Sequence, residues 1–99
     1  MAHKVLQIAF RWIKTNPDPE KLKSTVGSQG DDWMRLNVHV WYLWTTKTPT
    51  EVYSGLLSSM TNEDSVVIIP VDPTTFNGWA PEFVWKWFND KSALLKLGL

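Results

Sequence analysis

The sequence predicts an α+β domain: a four-stranded antiparallel sheet in the chain order βαββαβ, helices on one face, and a helical extension at the C-terminus. Three observations predict it. Residues 4–13 place apolar side chains at period two, residues 48–60 combine a strong helix start with an apolar stripe at helical spacing, and residues 65–71 form a short apolar run containing a proline. With 99 residues the chain holds one domain, 1–99, of which 89–99 reads as a leucine-rich tail.

In the first element Leu6, Ile8, Phe10 and Trp12 fall on one side, and Val5, Gln7, Ala9 and Arg11 on the other. That is a strand with one buried face. Asp18 then caps a short helix whose first position is Pro19, which suits a site needing no backbone donor. Leu22 and Val26 are its apolar pair, and Gly27 and Gly30 stop it. Residues 33–45 are rich in β-branched and aromatic types and too long for one strand, so they divide into a hairpin of 33–37 and 40–45 that reverses around Asn37 and His39. Thr48-Pro49-Thr50-Glu51 supplies an N-cap, a proline at the first helical position and a glutamate that closes a capping box. Val52, Leu56 and Met60, flanked by Tyr53 and Leu57, form the stripe that this helix buries, and Asn62-Glu63-Asp64 ends it.

The run from Ser65 to Val71 suits a buried strand, but Pro70 cannot donate to a ladder and belongs at a sheet edge. Strand, helix, strand, strand, helix, strand is the split βαβ order of ferredoxin-like folds, where the last strand lies at the edge beside the first. A third helix opens at Ala80-Pro81-Glu82 and runs to about Phe88, with Trp79, Phe83 and Trp87 as its packing stripe and Val84 and Phe88 alongside. Asn89-Asp90 is expected to break it before the tail, where Leu94, Leu95, Leu97 and Leu99 must dock on this chain or a partner, because isolated helices below about 12 residues are marginal.

Composition excludes several functions. Ten Lys/Arg balance ten Asp/Glu, so no global field recruits nucleic acid or anionic membrane. The absence of cysteine removes disulfides, thiolate catalysis and Cys-ligated metals. No run approaches the roughly 20 apolar residues of a membrane span and no signal-like segment opens the chain, so the expected location is cytoplasmic, with no membrane partner.

Chemistry-bearing residues are few. Asp31-Asp32, Glu63-Asp64 and Asp72 lie at turns, where carboxylates commonly serve local hydrogen bonding, and Asp18 reads as a cap. His3 sits near a terminus expected to fray, and His39 near the hairpin reversal has no identifiable partner for base catalysis. No phosphate-binding glycine loop and no nucleophile elbow occurs. These residues assign no catalytic group, no metal ligand and no cofactor.

Seven tryptophans are the unusual feature, more than so small a chain can hide. Trp33, Arg35 and Asn37 share one side of their strand, and Arg11 lies on the presumed solvent side of the first strand. If the two sides coincide, an open sheet presents arginines beside aromatics. Such a face fits a homodimer interface, where Trp, Tyr and Arg are enriched, and also a platform that stacks unpaired bases.

Residues 33–45, the Thr48-Pro49-Thr50-Glu51 helix start, Asn62-Glu63-Asp64-Ser65-Val66-Val67-Ile68-Ile69, and Gly78-Trp79-Ala80-Pro81 with Trp85 and Trp87 resemble the SinR-like proteins of the VapD and CRISPR-adaptation small-nuclease superfamily. The resemblance covers about four-fifths of the chain and implies a ferredoxin-like fold and a homodimer. Its nuclease members carry an acidic residue at the end of the first strand, and that position here is Arg11, a guanidinium that offers no oxygen to magnesium. The reading is therefore a small non-enzymatic interaction protein, homodimeric. The alternatives are a nucleic-acid binder using Arg11, Trp33, Arg35 and Asn37, or a metal-dependent nuclease of the resembled superfamily.

Overall fold

A computed structural model describes residues 2–99. Strand β1 (Lys4–Arg11) leads to helix α1 (Pro19–Gly27), hairpin strands β2 (Asp32–Arg35) and β3 (Val40–Thr45), helix α2 (Pro49–Leu56), strand β4 (Ser65–Val71) and helix α3 (Glu82–Lys96). The four strands form one sheet in the order β2-β3-β1-β4, and every neighbouring pair is antiparallel. The architecture is α+β with three helices. Ile8 sits between Trp41 of β3 and Ile68 of β4, which fixes the register across the middle of the sheet.

Both predicted helix starts form. Asp18 accepts a hydrogen bond from the Glu20 N–H, and in α2 Thr48 and Glu51 exchange side-chain and backbone bonds in a complete capping box. Helix α2 is shorter than its stripe implied: it closes at Leu56 and tightens into a 3₁₀ turn over Leu57–Ser59. Val52 and Leu56 are fully buried, Met60 packs against the core, and Tyr53 and Leu57 stay exposed.

The main core lies between the sheet and helices α1 and α2. Leu6, Ile8 and Phe10 of β1 and Trp41 and Leu43 of β3 meet Leu22, Val26, Val52 and Leu56. Burying that apolar area is the principal stabilising term, on the order of 1.5–3 kcal/mol for each large side chain. Gly30 is required where the chain enters β2: a Cβ there would lie 2.5 Å from the Trp44 carbonyl oxygen and 2.8 Å from Leu43 Cδ1.

Helix α3 covers part of the opposite face, so the helices do not all share one side. Its Val84 and Phe88 pack with Met34 of β2, alongside Tyr42 of β3, Trp85 and Trp87. Residues 41 and 42 are consecutive in a strand and point to opposite faces, which places α3 across the sheet from α1 and α2. Three expectations are corrected here. The buried stripe is Val84 and Phe88, while Trp79 and Phe83 are exposed. Asn89-Asp90 does not break the helix, and most of the expected 89–99 tail is its last turns, where Lys86 reaches Asp90 at i, i+4 and Lys91 is buried against the sheet. The terminus does not fray at His3 either: its ring stacks on Trp44, its backbone N–H donates to the Leu99 carbonyl, and its two ring nitrogens contact Asp31 and Leu99.

Candidate functional site

The residues proposed to share one surface are divided by the sheet. Trp33 is tilted against Trp41 on the α1 and α2 face, with Lys23 of α1 over its ring. Arg35 stands 5.6 Å over the ring of Trp41 on the same face. Asn37 serves the hairpin turn, where its Oδ1 accepts from the N–H groups of His39 and Val40. Arg11 follows the parity of Gln7 and Ala9, opposite Phe10, and lies on the other face at the β4 side. Arg35 and Trp33 are therefore neighbours, and Arg11 does not join them.

The carboxylates are occupied by structural bonds. Asp64 is buried and accepts from the N–H groups of Ile13, Lys14, Thr15 and Thr61 and from the hydroxyls of Thr15 and Thr61, so it ties the segment after β1 to the segment before β4. The Thr15 hydroxyl and then the Thr61 N–H hold its carboxyl far below the ordinary range. Asp72 accepts from the Thr74 hydroxyl and N–H, and these bonds lower its pKa. Asp32 receives the Lys91 ammonium at 2.6 Å and the Trp87 indole N–H at 3.1 Å. Lys91 is only 7% exposed, between the rings of Trp44 and Trp87, so this ion pair fastens the end of α3 to β2. His39 is exposed in the turn. Among the described residues, no three acidic or histidine side chains converge as a metal site.

The surface that stands out is the half of the second sheet face that α3 leaves open. There β1 contributes Gln7, Ala9 and Arg11, and β4 contributes Ser65, Val67 and Ile69. Val67 is 60% and Ile69 45% exposed, although both lie inside a regular strand. Strand β4 pairs only with β1, so its outer edge carries unpaired backbone groups. The expected edge position of Pro70 is correct, but β4 is half-exposed instead of buried, because no helix lies over its second face. Period-two alternation alone places Val67 and Ile69 on one side of β4. Only the docking of α3 on β2 and β3 shows that this side is bare. No family model, curated protein or solved structure matches the chain.

Proposed function

We propose that the protein is a small non-enzymatic interaction protein that works as a homodimer, joined through β4. One observation carries this reading: an unpaired seven-residue edge strand, Ser-Val-Val-Ile-Ile-Pro-Val, has no charged residue and exposes Val67 and Ile69. Protein edges are ordinarily guarded by charges, bulges or covering elements, and here Pro70 is the single guard within the strand. Uncharged residues make the strand compatible with its own copy. A twofold axis through Ile68 sets Val67 of each protomer opposite Ile69 of the other, an isologous contact that continues the sheet.

The same proposal includes a ferredoxin-like fold and a relation to the SinR-like proteins. It is supported by the interleaving of the two halves, with β1 and β3 central and β2 and β4 at the edges. By that resemblance Arg11 stands where the superfamily's nucleases carry an acidic residue, which argues against magnesium-dependent cleavage by this chain. The nucleic-acid alternative requires Arg11 and Arg35 on one surface, and a flat tryptophan-fluorescence titration with single-stranded RNA and DNA at low salt is the expected result.

Sedimentation equilibrium tests the dimer. The wild-type chain is expected to associate reversibly, and the Val67→Lys/Ile69→Lys double variant to sediment as a monomer with an unchanged far-ultraviolet circular dichroism spectrum. A wild-type chain that stays monomeric at its highest soluble concentration overturns the reading.

A further inference from the structure

Between α3, the segment after β4 and the sheet lies a cavity of about 320 Å³, within the size range of small-molecule sites. Five aromatic side chains, Tyr42, Phe76, Trp79, Trp85 and Phe88, line it. They are mutually braced: Phe76 stacks on Trp85 with centroids 5.3 Å apart, and Phe88 meets Tyr42 edge to face at 4.9 Å. Tyr42 is further held by the Gln7 amide, which donates to its hydroxyl at 2.9 Å. Trp79 belongs to the lining yet is fully exposed to solvent.

Of the lining residues Asp72 alone is charged. Its Oδ1 is taken by Thr74, whereas Oδ2 has no partner among the described residues. The Thr74 hydroxyl and N–H keep this carboxyl below its ordinary value, so it is ionised at neutral pH. Aromatic faces carry negative quadrupole density, and a wall of them beside one carboxylate attracts an organic cation, while no cationic side chain lines the cavity to hold an anion.

We propose that this cavity binds a small organic ammonium ion, its alkyl groups against Phe76, Trp85 and Phe88 and its charge toward Asp72. The bulk of a quaternary ammonium suits the volume, and its weak hydration lets it leave water for an aromatic wall more readily than a primary ammonium does. The site uses neither Val67 nor Ile69, although Val71 at the end of β4 lines it.

The test follows the tryptophan indole N–H resonances during titration with tetramethylammonium and with choline. Saturable shifts centred on Trp85 are expected, and 3,3-dimethylbutan-1-ol, which has the shape of choline without its charge, should bind about tenfold more weakly. Asp72→Asn keeps an oxygen for Thr74 and should weaken choline by roughly three- to tenfold while the protein stays folded. Trp85→Leu should abolish the shifts. Equal binding of the alcohol and choline, full affinity in Asp72→Asn, or no saturable shift overturns the proposal. A trimethyllysine peptide that binds more than about tenfold tighter than free choline also overturns it, since the partner would then be a protein segment. Choline binding should persist in the Val67→Lys/Ile69→Lys variant, so a failed dimer test and a failed ligand test are told apart.

Discussion

Single residues decide two junctions of this fold. Asp64 gathers donors from both sides of the β1 and β4 pairing, and its carboxyl titrates far below the ordinary 3.8. A group whose folded pKa is depressed stabilises the fold above its unfolded pKa, and that stability is lost as pH falls. The melting temperature should therefore decline from about pH 4 downward, with Asp72 and Glu51 acting in the same direction. Asp64→Asn should melt lower at neutral pH and show a shallower acid decline, which thermal melts across pH will read. Gly30→Ala meets backbone, since the added carbon would press on the Trp44 carbonyl; we expect a loss of about 1–3 kcal/mol in urea unfolding. At this scale the sequence reveals types and not partners. Asp64 reads as a turn carboxylate like Glu63 beside it, and only the fold brings Ile13, Lys14 and Thr15 to it.

Elements were legible where the signal is local. The capping box at Thr48 forms as its four residues dictate, because every participant lies within one helical turn. Thr48→Ala should cost about 1 kcal/mol by denaturant titration; it keeps the residue-48 backbone N–H, the first of the groups that hold Glu51 low, and removes the Thr48 hydroxyl, the second. Helix α3 was legible as a helix and misread as a surface. The expected stripe of Trp79, Phe83 and Trp87 had Val84 and Phe88 alongside it, and periodicity alone does not say which of these residues is buried. Met34 and Tyr42 on the sheet face beneath α3 select Val84 and Phe88, and the Lys91 pair with Asp32 lies beyond Asn89-Asp90 in the same helix.

For the whole molecule, the open half-face predicts a mass-action effect. If two copies meet through β4, the melting temperature rises with protein concentration, because association stabilises only the folded chain. Differential scanning fluorimetry over a wide concentration range should show that rise in the wild type and its absence in Val67→Lys/Ile69→Lys. A concentration-independent melting temperature for the wild type would count against the dimer as directly as sedimentation. The expected Arg/Trp surface shows why such faces are hard to read beforehand. Parity along a strand orders side chains within that strand, whereas the relation between two strands depends on their pairing, and the pairing sets Arg11 opposite to Trp33 and Arg35.

The sequence by itself determined the element order, the starts of α1 and α2, the hairpin around Asn37 and the edge position forced by Pro70. Each depends on contacts within a few residues or on a backbone donor that is chemically missing. The tertiary structure alone decided which face α3 covers, where Val67 and Ile69 are left in solvent, and how Tyr42, Phe76, Trp85 and Asp72 come to surround one cavity. Those outcomes are set by packing between residues remote in the chain, where many apolar side chains compete for one surface and only shape and register choose among them.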